Sequence, residues 1–516
     1  MTVEELVARL QAAGSAGSVE RAGAAWQQPE ARQAAVRAVR YDSRLVEPGD
    51  AFVCIRGTRL DGHDFADEAL RRGAVLILAE RPVGRLGERV PLVLVGDSRA
   101  ALGVAAATLL GHPDRRLRLV GVTGTNGKTT TTYLSKAVLE SGGYRVGLVG
   151  TIRHLVGDQT LPAERTTPEA SDLQALFARM VGAGATHAVT EVSSHAVVLK
   201  RLTGIEYDVG VFTNLTQDHL DFHGTMEAYR DAKAAFFASL SPGHKGAKLA
   251  VINKDDPFGA HMAARTPAPV IYYGLEGPAL DVAADEVDPR PDGVSFRVRT
   301  PWGSARVRLQ LGGLFNVYNA LAALSVGLHE GVSLERAVAW LEQVKGVPGR
   351  FEAVREGQPF GVIVDYAHTP DGLENVLRAA RALNPRKLWL VFGCGGDRDR
   401  GKRPKMGAVA ARLADRVIIT SDNPRSEEPE SICREIEAGL REEAAGGGAR
   451  MEGYEVLVDR RQAIEQAVCQ AGPGDLVIVA GKGHETYQIF KDRVIPFDDH
   501  QVVREALQKL GYGRSN

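Results

Sequence analysis

Short apolar runs alternate with amphipathic stretches along the chain, and this alternation predicts a protein built from strands and helices. Near the start, β-rich runs at 50–55, 74–79 and 90–95 surround a helical stretch at 65–72. Beyond a Gly-His-Pro-Asp break at 111–114, further strands are predicted at 117–122, 145–149, 187–192, 209–212 and 249–253, with helical periodicity at 171–180. Strands that alternate with helices form parallel sheets, so we expect ligands at the carboxyl ends of these strands.

The second half of the chain resumes this alternation after an interruption. A more β-like insert covers about 281–311 and precedes a predicted helix at 316–328. The glycines and proline of 344–350 indicate a linker, because both residue types break regular structure. Four more apolar strands follow at 361–364, 388–392, 416–420 and 476–480. They predict another doubly wound unit.

A length of 516 residues corresponds to roughly three domains of about 100 to 200 residues each. We therefore predict an α/β fold in three domains, at 1–112, 113–346 and 347–516. The first is a small α/β domain, the second a central parallel-sheet domain resembling P-loop ATPases, and the third a Rossmann-like domain. Hydrophobic residues make up 44% of the chain, which is ordinary for globular proteins and argues against disorder.

The charge balance excludes several classes of partner. Lys and Arg number 63 against 64 Asp and Glu, so no overall field would hold nucleic acid or an anionic membrane. The acidic start lacks the features of a signal peptide, and no apolar run approaches the roughly 18 residues that span a bilayer. The four cysteines are far apart and form no CxxC pair. We expect reduced thiols in a cytoplasmic protein.

The strongest chemical signal is the run GVTGTNGKTT at 121–130. A strand, a glycine-rich turn and a Lys-Thr pair at the start of a helix allow backbone amides, the helix dipole and the Lys128 ammonium to surround a triphosphate. Thr129 is then suited to bind Mg²⁺. Val122 occupies the first glycine position of the general P-loop pattern, so the match to that pattern is imperfect.

Polar residues also follow later strands of the predicted central domain. The runs EVSSH at 191–195 and TNLTQDHLDFHG at 213–224 place carboxylates, hydroxyls and imidazoles beside the P-loop. Together they suit Mg²⁺ and an anionic acceptor, although each one alone could cap a helix or bond within the core. Lys233 lies on a predicted Ala-rich helix, where its residue type by itself favours a solvated lysine.

Four loops of the third domain come directly after apolar strands. They are DYAHTP at 365–370, GCGGDRDR at 393–400, DNPR at 422–425 and GKGHE at 481–485. Loops after parallel strands are rich in Gly, Asp and Asn in many proteins. Convergent arginines, a carboxylate and an amide nevertheless indicate a pocket for a zwitterion.

Taken together, these motifs resemble the ATP-dependent Mur ligases of peptidoglycan synthesis, over nearly the full length of the chain. The resemblance rests also on DSR at 42–44, TTPE at 166–169, FNVYN at 315–319 and GRF at 349–351. It implies that the first domain holds a UDP-sugar peptide, the second ATP and the third an incoming amino acid. The implied reaction adds meso-2,6-diaminopimelate to the D-Glu γ-carboxylate of UDP-MurNAc-L-Ala-D-Glu, through an acyl phosphate and with Mg²⁺.

The resemblance also assigns roles to individual residues. The implied contacts to UDP-MurNAc-dipeptide are Ser43, Thr58, Arg59, Thr166, Thr167, Ser193 and Arg201. The implied contacts to ATP are Gly124, Thr125, Asn126, Gly127, Lys128, Thr129, Thr130, Asn316, Asn319, Arg350 and Asp365. The implied contacts to diaminopimelate are Arg398, Asp422, Asn423, Pro424, Arg425, Gly481 and Glu485.

The implied catalytic and metal-binding set is Lys128, Glu191, His219 and Lys233, with Thr129 as a further metal ligand. Family members carry the lysine that matches Lys233 as a carbamate, which replaces the solvated interpretation of this residue. A neutral amine that captures carbon dioxide becomes an anionic oxygen ligand suited to Mg²⁺.

The DNPR motif implies diaminopimelate rather than lysine as the amine. Diaminopimelate has a distal carboxylate that an arginine can bind through two hydrogen bonds, whereas lysine would leave Arg425 unpaired. A lysine-adding ligase and a folylpolyglutamate synthetase remain the rival enzymes, and a P-loop switch or motor the rival from another class. We expect a monomer that acts on small molecules, binds neither nucleic acid nor membrane, and closes its domains during the reaction.

Overall fold

The computed structural model describes residues 1–57, 60–290 and 293–513. Among these residues the strands form three main sheets and one two-stranded ribbon. Each main sheet buries apolar side chains on both faces. The predicted α/β architecture in three domains is confirmed. Within the described ranges no helix has both the length and the apolar character needed to cross a bilayer.

The first sheet has the strand order β1-β5-β4-β3-β2, with β1 antiparallel to β5. Its strands are β1 Val19–Ala22, β2 Val39–Arg40, β3 Ala51–Val53, β4 Leu76–Ala79 and β5 Leu92–Val95. Its helices are α1 Val3–Ala13, α2 Pro29–Gln33, α3 Ala66–Arg71 and α4 Ser98–Leu109. Short 3₁₀ turns cover Ala24–Gln27, Ser43–Leu45, Gly62–Phe65, Leu86–Glu88 and Pro113–Arg116. Thr2 and Glu5 form a capping box at the start of α1, a helix that was not predicted from the sequence.

The central sheet has the order β16-β15-β14-β13-β12-β11-β6-β10-β7-β8-β9. Its strands are β6 Arg118–Thr123, β7 Val146–Val149, β8 Arg153–Val156, β9 Gln159–Pro162, β10 His187–Glu191, β11 Val209–Phe212, β12 Leu249–Asn253, β13 Val270–Gly274, β14 Val282–Arg290, β15 Gly293–Thr300 and β16 Gly303–Leu309. Its helices are α5 Lys128–Ser141, α6 Ala170–Gly182, α7 Ser194–Val198, α8 Leu220–His223, α9 Met226–Ala238, α10 Gly259–Arg265, α11 Leu314–His329 and α12 Leu334–Leu341.

The central sheet is parallel in its middle and antiparallel at both ends. The β-like insert of the sequence analysis is β14 to β16, which continues the sheet because β14 pairs in parallel with β13. At the other end β7, β8 and β9 form an antiparallel meander. The predicted parallel strands therefore form the middle of a larger mixed sheet, with β6 flanked by β10 and β11.

The third sheet has the order β17-β18-β22-β19-β20-β21. The short edge strand β17 is antiparallel to β18, and the other described strand pairs of this sheet are parallel. Its strands are β17 Glu352–Ala353, β18 Gly361–Asp365, β19 Leu388–Phe392, β20 Arg416–Ile419, β21 Gly453–Val456 and β22 Leu476–Ala480. The ribbon consists of β23 Tyr487–Ile489 and β24 Val494–Pro496. The helices of the third domain are α13 Pro370–Ala382, α14 Lys402–Leu413, α15 Pro429–Ala445, α16 Arg460–Gln470 and α17 Asp499–Lys509.

A buried ion network closes the amino end of β6. Arg118 donates from Nη1 to Oδ1 of Asp208 at 3.1 Å and from Nη2 to Oε1 of Glu330 at 2.7 Å. Burial would raise the pKa of Glu330, but the nearby His187 and the hydrogen bonds and charge of Arg118 lower it to about 2. The network lies at the opposite end of β6 from the P-loop, and it ties α11 to the sheet.

Candidate active site

The glycine-rich turn at 124–127 lies between β6 and α5, as the sequence predicts. Gly127 has a φ of 83°, and a Cβ there would lie 2.5 Å from Oδ1 of Asn319. Conformation and space therefore both require glycine. A Cβ on Gly124 would lie 1.8 Å from Oγ1 of Thr213. The turn thus packs directly against α11 and the segment after β11, and its amides lie at the N-terminus of α5.

Lys128, the first residue of α5, folds back over this turn. Its Nζ donates to the carbonyl oxygens of Gly124, at 3.0 Å, and Thr125, at 2.8 Å. Burial lowers the pKa of Lys128, although Glu191 and Asp218 favour its charged form. The ammonium therefore lies within the loop that the sequence predicts to bind phosphate.

Glu191 ends β10 and is buried beside the P-loop. Its Oε1 accepts hydrogen bonds from Oγ1 of Thr129 at 3.0 Å and from the backbone nitrogen of Thr151 at 2.8 Å. Its Oε2 accepts from Oγ1 of Thr151 at 2.9 Å. Mg²⁺ prefers oxygen ligands, and Thr129 and Glu191 present a hydroxyl and a carboxylate side by side, so this pair fits the ion.

The other two predicted metal ligands bond elsewhere. Nε2 of His219 lies 3.3 Å from Oδ2 of Asp218, and Nζ of Lys233 bonds to a backbone carbonyl. In the described ranges no group of three or more His, Cys, Asp or Glu side chains is arranged to hold a metal ion. The structure therefore brings Thr129 and Glu191 together and leaves the full predicted set as a prediction.

Lys233 is not a solvated lysine, which corrects the interpretation from its residue type alone. Only 1% of the residue is exposed, and its Nζ donates to the Gly124 carbonyl oxygen at 2.8 Å. The ammonium also lies 4.5 Å from the centre of the Tyr229 ring. Burial, reinforced by the nearby charge of Lys128, lowers its pKa well below the usual value. A larger fraction of neutral amine at neutral pH follows.

A cluster of imidazoles lies near Asp218. Burial lowers the pKa of His219 to about 3, so this ring is neutral at pH 7. The His195 ring packs edge-on against it, 4.8 Å away between centroids, and burial lowers its pKa as well. Burial also lowers the pKa of His223 to about 4. These neutral rings can accept hydrogen bonds or bind a metal through a ring nitrogen.

The residues predicted to hold the dipeptide lie together beside Glu191. Oγ1 of Thr167 donates to the Glu191 carbonyl oxygen at 2.8 Å and lies 3.1 Å from Oγ of Ser193. Oγ1 of Thr166 lies 3.1 Å from Oγ1 of Thr151. Nη1 of Arg201 donates to the Thr167 carbonyl oxygen at 3.0 Å. The hydroxyls and the guanidinium therefore form one polar wall.

Glu169 lies behind this wall, and no separate role was predicted for it. It is 3% exposed, and its carboxylate forms ion pairs with three arginines. Oε1 lies 2.6 Å from Arg165 and 3.0 Å from Arg201, and Oε2 lies 3.0 Å from Arg99. Arg99 belongs to α4 of the first domain. The available signal was a carboxylate directly after the Thr-Thr-Pro run. The buried carboxylate thus joins the first domain to Arg201.

The predicted nucleotide residues of α11 and of the third domain meet the P-loop from two sides. Nδ2 of Asn319 donates to Oδ1 of Asn316 at 2.9 Å. Arg350 donates from Nη2 to Oγ1 of Thr129 at 2.9 Å, and its guanidinium lies 4.4 Å from the centre of the Tyr366 ring. Nε of Arg350 is buried without a hydrogen-bond partner among the described residues. A ligand in this space would therefore find a free donor.

Asp365 plays a local role that the prediction did not include. Its carboxylate accepts from the backbone nitrogens of Phe351, at 2.6 Å, and Ala367, at 2.7 Å. It therefore shapes the loop that carries Arg350. Burial raises the pKa of Asp365, and the Arg350 guanidinium opposes this rise.

The predicted amino-acid pocket lies at the carboxyl ends of β18, β19, β20 and β22. Arg425 has a φ of 53°, and its Nη1 donates to the carbonyl oxygens of Gly396, at 2.9 Å, and Asn423, at 3.3 Å. Burial and the neighbouring charge of Arg398 lower its pKa. Nδ2 of Asn423 donates to Oε2 of Glu485 at 2.8 Å. The structure thus brings the predicted arginine, amide and carboxylate together.

The remaining predicted pocket residues form its wall. A Cβ on Gly481, which has a φ of 114°, would lie 3.0 Å from Oδ2 of Asp422. A Cβ on Gly396 would lie 1.9 Å from the Pro424 carbonyl oxygen. Glycine at both positions lets the loops meet closely. Nε2 of Gln488 on the ribbon donates to the Asp422 carbonyl oxygen at 2.7 Å and holds the DNPR loop from outside.

Ser43, in the first domain, lies apart from this constellation. It is buried, and its Oγ donates to Oε2 of Glu68 at 3.0 Å. Thr58 and Arg59 lie outside the described residues. The described residues therefore leave the predicted UDP contacts untested.

A cavity of about 880 Å³ lies between the central and third domains. The P-loop, Glu191, Ser193 and Lys233 line it from one side, and Arg350 and Tyr366 from the other. Thr151 and Tyr366 are further lining residues for which no individual role was predicted. Both follow the carboxyl end of a strand, a position that could have identified them.

Family models of Mur ligases match most of the chain. The model of the Mur ligase family catalytic domain matches residues 35–108. The Mur ligase middle domain matches 122–327, and the Mur ligase glutamate ligase domain matches 349–483. The matched segments fall on the first, central and third sheets in turn.

Curated relatives resemble the chain along almost its whole length. The UDP-N-acetylmuramoyl-L-alanyl-D-glutamate--2,6-diaminopimelate ligase of Geobacillus thermodenitrificans (strain NG80-2) is 50% identical over 474 residues, which cover 92% of this chain and 95% of that protein. The UDP-N-acetylmuramyl-tripeptide synthetase of Roseiflexus sp. (strain RS-1) is 46% identical over 493 residues, covering 93% and 96%.

Solved structures agree with these matches. A structure of a UDP-N-acetylmuramoyl-L-alanyl-D-glutamate--2,6-diaminopimelate ligase is 36% identical with a TM-score of 0.64, covering 92% of this chain and 95% of that one. The MurF ligase of Thermotoga maritima in complex with ADP has the same TM-score at 21% identity, covers 92% and 97%, and supports the fold alone. The family models and the relatives together show that this chain belongs to the Mur ligase family.

Proposed function

We propose that this chain is an ATP-dependent ligase that joins meso-2,6-diaminopimelate to the D-Glu γ-carboxylate of UDP-MurNAc-L-Ala-D-Glu. The observation that carries the proposal is a direct line of contacts between two sites. Arg350 bonds to Thr129 of the P-loop and stacks on Tyr366, whose hydroxyl lies 3.5 Å from Oε1 of Glu485 in the amino-acid pocket. The nucleotide loop and the zwitterion pocket share a wall. This arrangement suits a reaction in which a carboxylate is first phosphorylated and then attacked by an amine.

In the first step a γ-carboxylate oxygen of the dipeptide bonds to the γ-phosphorus of ATP. The bond from that phosphorus to the bridging oxygen breaks, and its electron pair leaves on ADP. The Lys128 ammonium and the free donor of Arg350 stabilise the charge that develops on the phosphoryl oxygens. Arg201, Ser193 and the Thr166-Thr167 pair orient the carboxylate acceptor.

Thr129 and Glu191 would hold Mg²⁺, and we retain His219 and a Lys233 carbamate as further proposed ligands. The ion, when bound, neutralises charge shared between the two reacting anions. The low pKa of Lys233 supports carbamate formation, because carbon dioxide reacts with the neutral amine.

In the second step the amine of diaminopimelate attacks the acyl carbon. The new carbon–nitrogen bond replaces the carbon–oxygen bond, and inorganic phosphate leaves with that electron pair while the nitrogen loses a proton. Arg425 and Arg398 bind carboxylates of the incoming amino acid, and Glu485 binds its distal ammonium. No protein nucleophile is needed.

Domain boundaries, oligomeric state and location are also part of the proposal. We place the boundaries at 1–112, 113–346 and 347–516, and the separation of the strands into three main sheets supports this division. We propose a monomer in the cytoplasm, where ATP is available. Cys54, Cys394 and Cys433, which are free and buried in the structure, fit that compartment.

Phosphate release with ATP, Mg²⁺ and UDP-MurNAc-L-Ala-D-Glu tests the proposal, with meso-diaminopimelate or L-lysine supplied in parallel. Release that requires both the dipeptide and diaminopimelate is the expected result. Release with lysine alone would keep the ligase and overturn the choice of amine. ATP hydrolysis without either substrate would favour a P-loop switch.

A further inference from the structure

Lys482 is a buried lysine next to the amino-acid pocket, and the mechanism above does not use it. It follows β22 in the GKGHE loop, and none of its side chain is exposed. Its Nζ donates to Oε2 of Glu485 at 2.9 Å and to Oδ1 of Asn423 at 3.2 Å, and it lies 3.7 Å from Oδ1 of Asp422. A lysine without solvent contact is costly unless paired, so these contacts define its place.

The two oxygens of Glu485 are used unequally because of Lys482. Oε2 accepts from Lys482 and from Nδ2 of Asn423, at 2.9 and 2.8 Å. Oε1 has only the long contact of 3.5 Å from the Tyr366 hydroxyl among the described residues. One oxygen is therefore fixed by the protein, and the other keeps most of its capacity to accept a hydrogen bond.

The arginines of the pocket have no carboxylate partner in the described part of the chain. Arg425 bonds to the carbonyl oxygens of Gly396 and Asn423, and Arg398 to that of Asp397. No carboxylate oxygen lies within 4 Å of either guanidinium there, although Glu485 and Asp422 are close enough to affect the pKa of Arg425. A freely rotating Glu485 would be drawn toward these cations and would occupy the groups that bind the substrate carboxylate.

The charges behind the pocket do not take over the role of Lys482. Arg460, which is also fully buried there, pairs with Asp499 at 2.7 Å and donates to the Ala480 carbonyl oxygen at 2.9 Å. Its charge is therefore balanced by its own partner. Lys482 remains the cation in hydrogen-bond contact with Glu485 among the described residues.

We propose that Lys482 is a positioning residue for substrate recognition. It holds Glu485, both directly and through Asn423, so that Oε1 of Glu485 faces the distal ammonium of the amino acid, and it keeps Glu485 away from Arg425 and Arg398. The ligand class is an amino acid with a second ammonium and a second carboxylate at its far end. This inference rests on the proposed function.

The test compares wild-type protein with Lys482→Met, which keeps the length of the side chain and removes its charge. Steady-state phosphate release gives KM and kcat for diaminopimelate, and separately KM for ATP. We expect KM for diaminopimelate to rise about 10- to 100-fold, with kcat and KM for ATP changed less than about threefold. Lys491→Met, on the exposed turn of the ribbon, is the matched control and should behave as wild type.

A double-substitution cycle distinguishes positioning from a general structural role. In a Glu485→Gln background, Lys482→Met should change KM for diaminopimelate by less than about twofold, because the residue acts through Glu485. Independent effects that multiply would overturn the proposal, as would an unchanged KM in the single variant.

Thermal melts and binding of a nonhydrolysable ATP analogue check that each variant folds. If Lys482→Met does not fold, Lys482→Gln is measured in its place, and failure of both to fold would assign Lys482 to stability and overturn the proposal. Failure of the proposed function would look different, since wild-type protein itself would then release no phosphate with diaminopimelate.

Discussion

Arg350 of the third domain donates a hydrogen bond from Nη2 to Oγ1 of Thr129 in the P-loop, at 2.9 Å. The same guanidinium lies over the Tyr366 ring, 4.4 Å from its centre, so a second contact holds it in place. The two domains thus share one cation at the point where nucleotide and acceptor are proposed to meet. A planar guanidinium can make both contacts at once because of its geometry as well as its charge.

Replacing Arg350 with lysine should therefore lower kcat although the charge is kept. The compact ammonium cannot stack on Tyr366 and bond to Thr129 in the same way. We expect a decrease of about 10- to 100-fold in steady-state ADP formation. Arg355→Lys, a nearby exposed position, is the control, and an unchanged kcat for Arg350→Lys would contradict a role at the reacting phosphate.

Lys128→Ala should abolish ADP formation with all substrates present. The P-loop would lose the ammonium that bonds within it, and we expect a loss of about a thousand-fold or more. Lys136→Ala, on the same helix and paired with Glu140 at 2.5 Å, controls for the loss of a lysine from α5. Retained turnover by a correctly folded Lys128→Ala protein would refute the assignment of the nucleotide loop.

Arg425→Lys should weaken the choice of diaminopimelate over lysine. A lysine at this position cannot form two parallel bonds to a carboxylate, so kcat/KM for diaminopimelate should fall about 100-fold while kcat/KM for L-lysine changes little. Competition between the two amines, with products separated by mass, measures the ratio directly. The exposed Arg434→Lys on α15 is the control. A ratio that does not move would remove Arg425 from the specificity pocket.

Stability should depend on pH through Glu330. Its folded pKa is about 2, below the ordinary 4.5, because Arg118 and His187 favour the carboxylate. The unfolded chain therefore binds the proton more tightly. This contribution is complete above about pH 4.5 and disappears as the pH falls toward 2. Allowing for partial solvent screening, we expect about 2 kcal/mol.

The test measures the free energy of unfolding in urea for the wild-type protein and Glu330→Gln. The measurement starts at pH 7 and continues to the lowest pH at which both proteins fold. The difference between the two proteins should shrink as the pH falls through this window. A constant difference would mean that Glu330 acts through packing or neutral hydrogen bonds. Glu335→Gln, at an exposed position of α12, is the matched control.

The P-loop is the part of the site that the sequence predicts best, since strand, turn and helix are adjacent in the chain. The strand-end runs were predictable for a similar reason, because parallel strands bring their carboxyl ends to one edge. Lys233 shows the limit of this reasoning. Its helix has an ordinary composition, and its burial arises only when α9 packs against the Gly124 carbonyl oxygen, 109 residues away.

Glu169 and Lys482 were missed for a related reason. Each belongs to a recognised run, but the role of each is set by partners distant in sequence, such as Arg99 for Glu169 and Asn423 for Lys482. The strands β14 to β16 are a further case. Their β character was predicted, yet their attachment to the central sheet depends on the pairing of β14 with β13, which no local pattern encodes.

The carboxylate of Glu169, shared among Arg99, Arg165 and Arg201, has an evolutionary consequence. Loss of the carboxylate would leave three guanidiniums competing for weaker partners, whereas loss of one arginine would leave the other two in place. Substitutions at these positions should therefore follow different patterns. Each arginine can be replaced singly, whereas Glu169 should be replaced only together with several of the arginines. Lineages that have changed residue 169 should carry compensating changes in both the first and the central domains.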